Sequence, residues 1–301
     1  MKGYILDPLA ILGLLNGYTR PLDRHDFPHG SIPDRAGLFV PGTGELRRFA
    51  NLTGLHGTAV GADMYSFGTT QLHALGTVAY TRDGRVFRYA TAGATTLVAG
   101  NLLQGAAPIA NHLALTAAVE AVGAGGQDNP IVVTPGGTAG AANLYAEGFL
   151  NISVTPGNGY MYRISGHPAI VASTAFNLYL DPDDLIQIAL TASSRYGLHH
   201  NSWKNVIQTP TTITAKVVGV AVSLITENDT AQNYGWVQSR GPASVLVNGT
   251  PAVTAPVING ATTAGSVDVW TSAAQPTANL VGHMMQAGVT TENNPVFLCI
   301  D

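Results

Sequence analysis

Three short stretches gather the side chains that could do acid–base or metal chemistry. The first is HDFPH, where His25 and His29 stand with Asp23 and Asp26. Imidazole and carboxylate are zinc ligands, and two histidines four apart share one face of a helix. Pro28 lies between them and breaks helical geometry, so solvated loop residues are expected here and not a metal pair. The second is Asp181-Pro182-Asp183-Asp184, whose oxygens suit calcium. It lacks the sixth-position glycine and the closing glutamate of an EF-hand loop. Asp and Pro are turn formers, so a turn between strands is the expectation. The third is His199-His200 beside Trp203, which suggests a ligand pocket. A polar loop carrying one anchoring aromatic accounts for the same residues and is preferred.

Nucleophilic and phosphate chemistry leave less trace. The chain has no GxSxG elbow, no P-loop and no HExxH. Gly123-Ala124-Gly125-Gly126 is a lone glycine cluster without strand–turn–helix context. A Ser–His–Asp triad is set by geometry, which spacing does not display. No cluster pairs a nucleophile with a base, so no catalytic residue, metal or cofactor is expected. The single cysteine, Cys299, cannot form an intramolecular disulfide and reads as a buried small hydrophobe in an apolar terminal strand. Tyr234, Trp236 and Trp270 recur beside turns. Exposed, they would suit a carbohydrate; the preferred reading is strand-end aromatics closing the core or meeting another subunit.

The composition narrows the classes. Charged residues are 11% of the 301 residues, against roughly 25% in an ordinary soluble domain. Gly, Ala, Thr, Asn and Ser replace them, which suits tight turns and surfaces covered by other subunits. Net charge is −4 and only Arg47-Arg48 are adjacent bases, so nucleic-acid binding is not expected. The apolar N-terminal run is interrupted by Asp7 and Pro8, and no small-x-small site follows Leu15, so neither a secretory signal nor a membrane span is expected.

These residues must be carried by β-structure. Residues 1–70 hold Pro21, Pro28, Pro33 and Pro41 with Phe27, Phe39 and Phe49 between them. Each proline removes a donor and restricts its predecessor, while disordered tails are poorer in aromatics. This predicts an extended N-terminal arm that packs onto something. From residue 71 a hairpin is expected: Leu75–Tyr80, a turn at Asp83-Gly84, then Arg85–Tyr89. Residues 97–122 are the best helix candidate, with a short helix over 108–118. Strand patterns follow at Tyr160–Ile164 and Phe176–Leu180, and Ile186, Ile188 and Leu190 form one further face. QTPTT at 208–212 reads as a linker. The expected fold is mainly β: tandem small β-sandwich or barrel domains, a central one over 71–212 and a C-terminal one over 213–301, behind the arm.

The order of phrases carries one more reading. QLHALGTVAYTRDGRVFRYATAG, AGNLLQ, NLYAEGFL, GYMYRISGHP, YGWVQSRGPASVLVNGTPAV, VGHMMQAG and NNPVFLCID follow one another over about residues 70–301. Together they resemble tailed-bacteriophage virion structural proteins of the capsid decoration or cement type. The resemblance implies a protein that braces the capsid surface by protein–protein contacts. It implies a homo-oligomer, expected to be a trimer, with the major capsid protein as partner and the virion as location after assembly in host cytoplasm. It carries no catalytic residues. On that reading Phe27, Phe39, Phe49, Trp236 and Trp270 are the candidate inter-subunit or capsid contacts. A head-fibre or glycan-binding virion protein is the alternative, and a virion-associated hydrolase has the least support.

Overall fold

Short runs of valine, leucine and isoleucine, cut by glycine and proline, are too brief for helices and long enough for strands. A computed structural model describes residues 64–301 apart from 82, 228–232 and 272–278, together with the backbone of two short strands before them. Those two, β1 (Leu38–Phe39) and β2 (Leu46–Arg47), pair antiparallel. The remaining expectations for the arm lie outside the described residues.

The strands that follow are β3 (Phe67–Gly68), β4 (Val78–Tyr80), β5 (Val86–Thr91), β6 (Leu102–Gln104), β7 (Leu115–Thr116), β8 (Ile131–Val133), β9 (Phe149–Val154) and β10 (Met161–Gly166). Then come β11 (Phe176–Leu180), β12 (Arg195–His199), β13 (Ile207–Gln208), β14 (Val217–Ala221), β15 (Tyr234–Leu246), β16 (Pro256–Asn259), β17 (Val267–Val269), β18 (Leu280–Met284) and β19 (Asn293–Cys299). Among the described residues the only helical element is one 3-10 turn, Ala110–His112, and no helix is long and apolar enough to cross a membrane. The protein is mainly β, as its turn spacing predicts.

The strands of the larger unit, Asp63–Thr77 with Thr81–Asp301, form two sheets. The smaller runs β7-β12-β9-β10-β11-β8, and the larger follows β13-β6-β14-β15-β19-β18-β16-β17. The larger sheet curls almost closed. Leu102 N–H donates to the Gly265 carbonyl at 2.7 Å, and Asn248 N–H to that of Val267 at 2.8 Å. Its interior is aliphatic: Leu102, Val217, Val220, Val245, Val257, Val267, Val281, Val296 and Leu298 are all buried. The smaller sheet folds over its own irregular loops. Their backbone groups are paired by bridges such as Glu120 with Leu190 and Gly140 with Ile170, which makes their burial affordable.

Sheet membership does not follow the expected boundary at 212. Strands β5 and β6 belong to the larger sheet with β14 and β15. The smaller sheet is an insertion between β6 and β13, which pair with each other at Ile207–Gln104 and Gln208–Leu103. The stretch 208–212 is no free linker at its start: Thr209 is buried and donates its N–H to Leu102 at 2.9 Å.

The helix expected within 97–122 is corrected to short strands and turns, with the 3-10 turn Ala110–His112 the one helical piece there. Leu97, Leu102 and Leu103 are each fully buried and divide between two hydrophobic clusters, a placement that alternating strand geometry permits and one helix face does not. Ala114 adopts φ 52°, and β7 begins directly after it. The Asp83-Gly84 hairpin forms, with Thr81 N–H donating to Arg85 at 3.0 Å. Phe176, Leu178 and Leu180 share one buried face as expected. Ile186 and Leu190 are buried but Ile188 is exposed, because residues 181–190 are turns and a bridge and not a strand. Cys299 is exposed as well. Alternation along β19 sends Leu298 inward and its neighbour outward.

The 13-residue β15 is the spine of the larger sheet. Residues 234–240 pair with β5 and residues 240–246 with β19. Gly241, at φ 86°, sits at the exchange of partners, and a Cβ there would lie 3.2 Å from Arg85 Cα. Glycine is therefore required by both conformation and space.

Candidate functional site

The chain crosses between the two sheets twice, once after β6 and once after β12. The crossings lie side by side, and Ser202 O would stand 2.7 Å from a Cβ on Gly105. They border a cleft of about 160 Å³ lined by Gly105, Ala106 and Pro108 on one side and His199, His200, Asn201 and Ser202 on the other, with Ala215 and Lys216.

Behind this cleft is a buried polar chamber centred on Tyr145. Its hydroxyl lies 2.6 Å from His112 Nδ1, and His112 Nε2 lies 2.9 Å from the Thr138 carbonyl. A carbonyl only accepts, so Nε2 carries the proton and Nδ1 accepts from Tyr145. His167 follows the same logic. Its Nε2 accepts the Tyr145 backbone N–H at 3.0 Å, so Nδ1 donates to the Pro168 carbonyl at 2.7 Å. The His200 ring centre is 4.7 Å from that of Tyr145, and its Nδ1 is buried with no hydrogen-bond partner among the described residues.

Five further hydrogen bonds tie the chamber to the second crossing and to Leu75. Lys204 is 7% exposed. Its ammonium donates to the Asn143 carbonyl at 2.5 Å and the Ala146 carbonyl at 3.3 Å. Glu147 Oε2 accepts the Leu75 N–H at 2.7 Å, and Asn201 Nδ2 donates to the Glu147 and Leu75 carbonyls at 3.0 and 3.4 Å. Arg163 Nη2 is 3.7 Å from Glu147 Oε2. The turns over 143–148 that present these groups place Asn143 at φ 58° and Glu147 at φ 63°. Such backbone persists only when its surroundings over-determine it.

The electrostatics follow from burial. Desolvation drives the His200 pKa down to about 4, with the charges of Lys204, His112 and His199 adding to the effect and a Leu144 backbone hydrogen bond opposing it. Burial also lowers His167, opposed by the Pro168 hydrogen bond and reinforced by Lys204 and His112. Burial lowers Lys204 against the pull of Glu147, and it raises the Tyr145 phenol well above its ordinary value. A phenol held protonated and donating to an imidazole is a structural donor, not a nucleophile. The network fixes one conformation of the 143–148 turns against the second crossing.

A different surface lies on the outside of the curled sheet. The register sets Trp270, Pro256, His283, Phe297 and Pro242 opposite one another across β17 to β15, with Trp270 N–H donating to Pro256 at 2.9 Å. Trp270 is 37% and Phe297 42% exposed. Strand alternation that buries Val257, Met284, Val296 and Ala243 turns these neighbours outward.

The expected contact residues separate on this map. Trp270 is on the outer row. Trp236 is 3% exposed and engaged inside its own chain, 5.1 Å from the Tyr89 ring and 5.5 Å from that of His73. Phe39 is in β1, while Phe27 and Phe49, with His25 and His29, lie outside the described residues. Asp181–Asp184 form the expected turn, where Asp184 N–H donates to Asp181 O at 2.9 Å and its carboxylate accepts the Arg163 N–H at 2.6 Å. No group of three His, Cys, Asp or Glu side chains gathers to hold a metal among the described residues.

Reading His199-His200 as a polar loop missed the chamber. His199 ends β12, and His200 is drawn inside with His112 and His167, which are 88 and 33 positions away. Trp203 does anchor the crossing. Arg88 lies 5.0 Å and Lys216 5.8 Å from its ring, and Gly76 leaves the space it fills. No local sequence signal marks the three histidines, which stand in unrelated segments. Compared with known proteins, the chain matches no family model, no curated protein and no solved structure.

Proposed function

We propose that this protein is a non-enzymatic virion structural protein that decorates or cements a tailed-phage capsid, working as a homo-oligomer, expected to be a trimer, against the major capsid protein. The observation that carries the reading is the outer row of Trp270, Pro256, His283, Phe297 and Pro242. Leu280 and Val269 are exposed as well. A row of two aromatic rings and two prolines around His283, with no lysine or carboxylate in it, has the character of a protein-contact surface. The sparse charge of the whole chain supports the same reading, as does the resemblance of residues 70–301 to decoration proteins.

A cryo-EM map of the parent particle, with light scattering on the purified protein, tests it. The expected result is density for this fold on the outer capsid surface and a solution mass of three chains. Absence from the shell overturns the capsid role, and a monomer that also binds the shell singly overturns the oligomer. The second reading, a glycan-binding head-fibre protein, draws on the same exposed Trp270 ring, since flat aromatics stack on sugars. It predicts density on a fibre, and glycan binding that Trp270→Ala abolishes.

A further inference from the structure

The Tyr145 chamber joins two bodies that have separate hydrophobic cores. Its bonds are of a kind that acid removes. His167 accepts the Tyr145 amide N–H at Nε2 while donating from Nδ1 to Pro168. A second proton on that ring can go only to Nε2, where it meets the amide hydrogen head-on, so protonation and the Tyr145 N–H bond exclude each other. His200 offers a buried Nδ1 with no hydrogen-bond partner among the described residues, and the Lys204 charge opposes a positive charge on that ring.

We infer that this chamber is an acid-operated latch: protonation of His167 and His200 expels the 143–148 turns from the Asn201–Lys204 crossing and releases Leu75 from Glu147, while both sheets stay folded. The inference goes beyond the capsid reading and does not depend on it. The groups facing the two rings are few. From the 110–112 turn comes His112; from the 143–148 turns, the Tyr145 phenol; from the crossing, His199 and Lys204. The Phe176 ring covers His167 from β11. The Glu147 carboxylate acts on Lys204 and is already engaged by Leu75, Gln71 and Arg163. Two added positive charges therefore find no new partner.

The sign is set by neutral rings. Both are held below the ordinary histidine value, chiefly by burial, so the open form binds more protons and opening grows as pH falls below about 6.5. For one histidine the opening constant rises about tenfold per pH unit until the closed-state value is reached.

Hydrogen exchange on the full chain at pH 7.5 and pH 5, corrected for intrinsic rates, reads this directly. Amides of residues 143–148 and 200–205 are expected to lose at least tenfold protection, while those of β9 and β15 keep theirs. In His167→Gln/His200→Gln, whose amide side chains do not titrate, the loss is expected to vanish. Equal seam protection at both pH values overturns the latch, as does loss from both sheets together or a double variant that retains the full response. Should the double variant not fold, imidazole NMR on the wild-type chain decides. His167 and His200 must stay neutral while the Tyr145 amide is protected and titrate as that protection is lost. Titration at the ordinary value with an undisturbed Tyr145 amide overturns the proposal.

Discussion

The two sheets solve the same packing problem with different interiors. The curled sheet is filled by aliphatic side chains, valine above all, with one methionine. The inserted sheet buries Tyr145, Tyr162 and Tyr196 among its aliphatics, and beside them His112, His167 and Glu120. An aliphatic interior needs only volume and alternation, and tolerates swaps that conserve volume. A polar interior needs every donor matched, and it fails when one partner is lost. The first is filled chiefly by aliphatic area, although its strands also bury Gln104, Gln238, Ser239, Asn259 and Asn294. The second is specified by a handful of named bonds, and those bonds also attach it to the barrel.

The largest expected effect is at the centre of the polar interior. Tyr145→Ala empties a fully buried aromatic site and strands His112 Nδ1. It should cost about 3–5 kcal/mol in urea denaturation. Ile152→Val in the same lobe should cost about 0.5–1.5 kcal/mol. If the two variants denature alike, Tyr145 is not the centre of that interior.

Acid should come next, and on one side only. His200 has its folded pKa depressed to about 4, so its contribution is complete above the unfolded value near 6.5 and is lost as pH falls toward 4. That window corresponds to on the order of 3 kcal/mol for closure of the seam between the 143–148 turns and the 200–205 crossing. Denaturation followed through lobe-specific exchange should show the barrel unchanged across it. A barrel that weakens equally would show that the interiors do not differ in their response to protons.

The smallest effect should be on the outer row. Trp270→Ser with Phe297→Ser removes half-exposed rings that close no core. Stability should change by about 0.5 kcal/mol or less per site, while any oligomer seen by light scattering should weaken. A large drop in the thermal midpoint would place these rings in the fold and take them out of the contact surface.

Much of the fold was legible beforehand because strand grammar is local. Alternation at Phe176–Leu180, the Asp83-Gly84 turn and the turn at Asp181–Asp184 rest on neighbours in sequence. The Ala- and Leu-rich stretch 97–122 misled for the same reason. Its composition favours a helix, yet Leu97, Leu102 and Leu103 are claimed by partners more than 100 residues away, such as Ile225 and Val220, and tertiary packing outweighs propensity. The candidate site was the least legible part. His112, His167 and His200 are unremarkable in their own segments and become a chamber only when the insertion closes.

By itself, then, the amino-acid order determined a β-class chain with little charge, its main turns and which strand faces are apolar, since each depends on a few adjacent side chains. Tertiary structure alone decided that β6 and β13 meet, that 105–206 forms an insertion, that Cys299 and Trp270 face outward while Trp236 turns in, and that three distant histidines surround one tyrosine. These depend on which strands find each other across long loops. That choice is made by the burial of whole faces, and no local spacing encodes it.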